Sequence, residues 1–309
     1  MRKRVSPLLV LPMMLLALAA MAIMPSGASA APLTGVKSHH KPHFITRASL
    51  KGQSHRATSG ARPFASSNNL NYGGGPVMGG TTNVFAIFWE PTGSVSANYN
   101  SLITRYFGDV GGQGLYNINS QYSDSTGAVP TNTQLAGTFV DTTPYPESPL
   151  LDSDIQNEVT NAQNANGWSS GIDNIFFVFT ESGQDLCFDS SQSQCASNAF
   201  CAYHNFFGSN TIYAAMPYAA SFSCNPGSSP NGDDADQTIN VTSHEQMEAA
   251  TDPLLNAWTD SSGQEIGDKC AWQFGPLDGQ GGDVNWNGND YIVQLEWDNA
   301  IGGCAITGP

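Results

Sequence analysis

Basic residues are nearly missing from this chain past residue 72. Arg105 and Lys269 are the only two there, against 26 acidic side chains, a formal charge of −24 over residues 73–309. A surface of that sign excludes nucleic acid and anionic membranes as partners and favours cations. It also leaves few salt bridges to form, so burial and cross-links must hold the fold. No segment after residue 30 is long and apolar enough for a membrane span, which takes about 20 residues. The sequence has no Cys-x-x-Cys pair, which argues against a zinc finger, and no Gly-x-Ser-x-Gly elbow, which argues against a serine hydrolase. No cysteine precedes residue 187, and past residue 72 only two histidines remain, His204 and His244.

What is present divides the chain into three parts. Arg2, Lys3 and Arg4, an apolar stretch over residues 8–24 and the small residues Ala28-Ser29-Ala30 make an export signal over residues 1–30. The mature protein is therefore expected to be secreted and extracellular. Residues 31–72 carry six basic side chains, His39, His40, His43 and His55, and no acid. They read as a disordered basic prosegment or linker. Such an arm is expected to dock by charge on the acidic domain and to restrain it until cut. Residues 73–309 are long enough for one domain with a substantial core. The six cysteines, an even number in an exported chain, read as disulfides. Cys270 is expected to pair with Cys304, with two further bridges among Cys187, Cys195, Cys201 and Cys224.

Residues 83–89 (NVFAIFW), 174–179 (NIFFVF) and 211–216 are expected strands, apolar and rich in β-branched or aromatic residues. Tyr99, Leu102, Ile103, Tyr106 and Phe107 repeat at helical spacing. So do Ile155, Val159 and Ala162 after the capping candidates Asp152 and Ser153. Tyr291, Val293, Leu295 and Trp297 alternate as on one face of a strand.

The chemistry concentrates near His244. A helix is expected over residues 236–250, uninterrupted by Gly or Pro and stopped by Asp252-Pro253. His244 and Glu248, four residues apart, share one face of it. Zinc peptidases place two ligands at this spacing, with a glutamate after the first as general base. Here the pattern is HExxE: Glu245 stands in the base position and Glu248 replaces the second imidazole. An exposed acidic helix face is the plainer reading of the same residues. A third ligand must come from elsewhere, and His204, Glu265 and Asp268 are the candidates. Zinc is the expected ion, with calcium the other possibility.

The blocks GGPVM (residues 74–78), NVFAIFW, CAYH, SHEQMEAATDPLLNAW and EIGDKC, in this order, resemble the Exordium or phosphate-induced protein family of plant apoplastic proteins and bacterial secreted relatives. The resemblance implies an extracellular protein with one domain. It matches His204, His244, Glu245, Glu248, Asn256, Trp258, Glu265 and Asp268. The expected fold is α+β: a zincin-like domain with a mixed twisted sheet packed on the His244 helix and a disulfide-linked C-terminal half around the site. The expected function is a secreted metal-dependent hydrolase that acts on extracellular protein or cell-wall material through a metal-activated water. Against it stands a non-catalytic extracellular or wall-binding protein, using exposed aromatics such as Trp258, Trp272 and Trp286.

Overall fold

The computed structural model describes Phe44–Thr46, the backbone of Ser54–His55, and residues 69–308. The export signal and most of the prosegment, including His39, His40 and His43, lie outside the described residues. Seven elements of sheet and helix place the site, together with an eighth and a ninth that frame it. In chain order they are β1 (Phe44–Thr46), β2 (Gly80–Trp89), α1 (Tyr99–Asp109), β3 (Pro130–Asp141), α2 (Asp152–Asn166), β4 (Asn174–Thr180), β5 (Phe200–Phe207), β6 (Thr211–Met216) and α3 (Ala235–Thr251).

The six strands form one mixed sheet in the order β1-β5-β6-β4-β2-β3. Strands β3, β2, β4 and β6 run parallel, whereas β5 is antiparallel to β6 and β1 antiparallel to β5. Both faces of the parallel part are covered. That is why 83–89 and 174–179 are continuous apolar runs instead of alternating ones. Phe177 and Phe179 meet Phe107 of α1 on one face, while Phe176 stacks on Phe85 and lies tilted against Trp168 on the other. The five periodic residues of α1 are all buried.

Helix α3 fills the face opposite α2. Tyr99 and Tyr106 of α1 hydrogen-bond to Thr238 and Gln246 on it, and every residue from 238 to 251 is buried. The exposed acidic face considered from sequence is therefore absent: Glu245 and Glu248 are fully enclosed. The helix ends at Thr251 as the Asp252-Pro253 stop implies, with Asp252 Oδ1 accepting from the amides of Asn256 and Ala257.

Three disulfides join Cys187 to Cys195, Cys201 to Cys224, and Cys270 to Cys304. The fold is α+β with a mixed sheet, and the bridges lie in its C-terminal half. Some local expectations change. Asp152 and Ser153 do not cap α2 from outside; Leu151 precedes the helix and its amide donates to Asp154 Oδ2 at 2.8 Å. Residues 291–297 are not one strand but two short pieces, Asn289–Tyr291 and Glu296–Asp298. Residues 291–298 are buried on every side, so their alternation marks no single face. Within the segment read as a disordered linker, Phe44–Thr46 adds a strand to β5 and Asn71–Tyr72 pairs with Trp258–Thr259.

Candidate metal centre

Strand β5 and helix α3 bring His204 to the HExxE residues. His204 Nδ1 lies 3.2 Å from Glu245 Oε2 and 3.6 Å from Glu248 Oε2. Its Nε2 faces the other way, 3.3 Å from the Asp252 carbonyl and 3.7 Å from Glu265 Oε1. His244 Nε2 lies 2.9 Å from Glu248 Oε1, though not in hydrogen-bonding alignment. His204, His244, Glu245, Glu248 and Glu265 are all fully buried.

The loop that carries Glu265 and Asp268 closes the cluster. The Asp268 amide donates to Glu248 Oε1 at 3.0 Å, and the Glu265 amide to Asp268 Oδ2 at 3.2 Å. Gly267 permits this approach: a Cβ there would stand 2.6 Å from His244 Nδ1 and 2.8 Å from its Cγ. Its φ is an ordinary −76°, so space rather than a turn conformation demands glycine. The Cys270–Cys304 bridge ties the loop to a hairpin of Glu296–Asp298 with Gly303–Ala305, and Cys201–Cys224 ties down β5 three residues before His204. Glu296 of that hairpin, fully buried with neither carboxylate oxygen hydrogen-bonded, joins the cluster. Sequence reading missed it because Glu296 stood on the off-face of the supposed strand. The available signal was an acid inside the apolar run IVQLEW.

The site's residues fall into two overlapping ligand sets. His204, Glu245 and Glu248 offer atoms within 4.8 Å of one another, and so do His244, Glu248 and Asp268. Glu265 belongs to neither, because it faces the opposite edge of the His204 ring. Glu245, assigned to the base position, sits at ligand distance in the first set. The domain's two basic residues do not neutralise the acids. Lys269 pairs with Asp260 at 3.0 Å and covers the Trp297 ring, and Arg105 bonds to Tyr291 and Asn231.

Burial alone would strip the imidazoles of their protons, but the acids outweigh it. Glu265, Glu245 and Glu248 hold His204 well above its ordinary range, and Glu248 holds His244 up at about 10. Burial lifts Glu245 to about 7 despite the His204 hydrogen bond, with Glu248 adding to the rise. Burial also pushes Glu265 and Glu296 well up. It pushes Glu248 the same way, but the two imidazoles win and hold that carboxyl below its usual range. Without a cation, the cluster balances its charge by keeping protons, and a metal would have to displace them.

Of the aromatics named for the alternative, Trp272 and Trp286 are buried and Trp258 is half-buried. Among the described residues no helix is long and apolar enough to cross a membrane.

No family model matches the chain. No solved structure matches it either. Among curated proteins it is similar to Protein EXORDIUM-like 5 of Arabidopsis thaliana, 24% identical over 304 residues that cover 79% of this chain and 80% of that protein. With the motif blocks in their order, this similarity supports a weak relationship to the Exordium family.

Proposed function

We propose that the protein is a secreted metal-dependent hydrolase of zinc-peptidase type, with His244, Glu248 and Asp268 holding the cation. One observation carries the metal reading: fully buried carboxylates face two imidazoles with no lysine or arginine among them. Removing a carboxylate from water costs several kcal/mol unless a partner compensates it. Zinc suits mixed imidazole and carboxylate donors, while calcium prefers six to eight oxygens. When bound, zinc supplies a Lewis acid and acidifies a water near neutral pH.

The chain's own residues fit the rest. Glu245 follows His244 directly, and its Oε1 has no hydrogen-bond partner. Burial raises this carboxyl in the metal-free cluster, and a cation beside it would lower it again, leaving a carboxylate base at neutral pH. The mixed sheet with an antiparallel strand beside the HExxE helix supports a zincin-like reading of the fold. The export signal and three disulfides support an extracellular location, and with it an extracellular protein or cell-wall substrate.

A second reading has its own observation. His204, His244, Glu245 and Glu248 are closed to solvent, and structural zinc sites are closed where catalytic ones keep an open position. On that reading the protein is a non-catalytic extracellular protein with a structural ion. Elemental analysis of the purified mature protein, followed by assays on peptide and wall-polymer substrates, separates the two. For the hydrolase, Glu245→Gln abolishes turnover while the ion at His244 stays, and Glu248→Ala loses both. Metal without turnover on any substrate assigns the structural role. No metal in the wild type sinks both readings.

A further inference from the structure

We propose that the cluster holds two divalent cations bridged by Glu248, one ion on each carboxylate oxygen. This rests on the metal reading above and extends it. The first ion takes His244 Nε2, Glu248 Oε1 and Asp268. The second takes His204 Nδ1, Glu248 Oε2 and Glu245 Oε2.

Distances are the first support. Donors about 2.0–2.2 Å from one tetrahedral zinc stand roughly 3.3 Å apart. His204 Nδ1 lies 3.2 Å from Glu245 Oε2 and 3.6 Å from Glu248 Oε2, the spacing of ligands around a common ion. On the other oxygen, His244 Nε2 lies 2.9 Å from Glu248 Oε1. The two imidazoles thus address different oxygens of one carboxylate. Among the described residues no set of three donors within 4.8 Å of one another contains both histidines, so each imidazole has its own candidate ion position. A carboxylate bridge spans two ions about 3.5–4 Å apart, as in two-metal hydrolases.

The surroundings of His204 are the second support. Its Nε2 points at the Asp252 carbonyl, 3.3 Å away, with Glu265 Oε1 beyond at 3.7 Å. Metal-bound histidines regularly donate their other ring N–H to a carbonyl or carboxylate. That donation fixes the tautomer and leaves the Nδ1 lone pair facing Glu245 and Glu248.

Charge does not decide the number of ions. Glu245, Glu248, Glu265, Glu296 and Asp268 surround two imidazoles, and Glu265 and Glu296 have no hydrogen bond on either oxygen. With all five ionised, one divalent ion leaves three negative charges and two leave one; with Glu265 and Glu296 protonated, as burial favours, the totals are −1 and +1. Glu245 Oε1 also lacks a partner. It stays available as a base when Oε2 is a ligand, so the second ion does not displace the role proposed for that residue.

The test is metal stoichiometry on the full mature chain, dialysed against zinc, with electron paramagnetic resonance after exchange into manganese(II). Two equivalents per chain and an exchange-coupled manganese signal are expected. Glu245→Gln should keep one equivalent and lose the coupling, and Asp268→Asn should do the same from the other side. Glu248→Gln should hold neither ion tightly. The coupled signal in wild type needs no variant, so it decides the matter even if a substitution prevents folding. One equivalent in wild type, unchanged in Glu245→Gln, overturns the second ion and leaves the single-ion hydrolase intact. No bound metal in wild type overturns both.

Discussion

Strand β5 meets a buried acid on each face of the sheet, and the two are treated differently. Tyr203 and His204 are adjacent, so they point to opposite faces. On the α2 face, Asp152 is buried, yet it accepts from the Tyr203 hydroxyl at 2.8 Å, the Tyr213 hydroxyl and Gln156 Nε2 at 2.7 Å. Neutral donors satisfy it, and nothing further is needed. On the α3 face, Glu245 and Glu248 meet imidazoles and other acids, and Glu265 and Glu296 accept no hydrogen bond, Glu265 having only His204 Nε2 nearby at 3.7 Å. The contrast separates a structural acid from a ligand acid: what matters is the donors around the carboxylate, and burial alone does not decide it.

The largest effect should come from removing the ion from one face. Apparent zinc-binding free energies of about 10–16 kcal/mol in small metallodomains set an upper bound. Chelation of the zinc-loaded protein should therefore cost several kcal/mol of stability in denaturant unfolding. Asp152→Asn on the other face should cost about 1–3 kcal/mol, the penalty for a disturbed buried acceptor, and leave metal content unchanged. If Asp152→Asn lost metal, or if chelation changed nothing, the contrast between the faces would collapse.

On the α3 face the pH dependence should differ with and without metal, whereas Glu158 of α2, raised to about 8 by burial, should titrate alike in both forms. His244 is held at about 10 against an ordinary 6.5. A raised value means protonation stabilises the metal-free fold fully below about 6.5, and this contribution is lost as pH rises through about 10. In the zinc-loaded protein the imidazole must be deprotonated, so stability should instead rise with pH up to about 6.5, where the unfolded imidazole loses its proton, and then level off. Thermal unfolding midpoints with and without chelator should converge as pH falls. Parallel curves would mean His244 does not bind metal.

Gly267→Ala is a smaller and more local probe. The backbone there tolerates alanine, but the new methyl group would collide with the His244 ring. Overpacking of this kind costs about 1–3 kcal/mol, and the displaced ring should weaken zinc by roughly 10–100-fold, as misoriented ligands do. Full zinc affinity in this variant would show that His244 need not sit where the structure places it.

The sequence made much of this legible, and unevenly so. Helix α1 was readable to the residue because its apolar period is an interior stripe. Strands β2, β4 and β6 were readable because both of their faces are covered, which leaves an apolar run. The pairing of Cys270 with Cys304 and the proximity of His204 to the HExxE helix were also within reach. Other features depended on contacts distant in sequence. Nothing near Glu296 announces that its hairpin is pinned by Cys304 to the Asp268 loop. Nothing near Gly267 shows why glycine is needed there, because the ring that fills its missing Cβ belongs to a helix twenty-three residues earlier. Trp272 and Trp286, expected at the surface, are buried for the same reason: the Trp272 amide donates to Gln294 Oε1 at 2.6 Å, twenty-two residues on.

The smallest effect concerns the arm. Its docking was expected to be electrostatic, a basic segment against an acidic domain. The described contact is of another kind. Phe44 and Ile45 pair with Tyr203 and Ala202 as an antiparallel edge strand, and Phe44 stacks on Phe200 at 5.0 Å with Phe188 and Tyr203 edge-on. Ile45 is 1% exposed. No charged side chain lies in Phe44–Thr46, so added salt should not release this strand, although it screens ion pairs. Without the strand, the edge of β5 would be bare, an unpaired template for other chains. Phe44→Ala should cost about 1 kcal/mol, the scale of aromatic pairs beyond their burial, and leave metal content alone. Hydrogen exchange at Ala202 and Tyr203 should stay protected at high salt in wild type and speed up in Phe44→Ala at any salt. Exchange that quickened with salt in the wild type would return the docking to charge, and would make the basic residues of 31–72 the holding force after all.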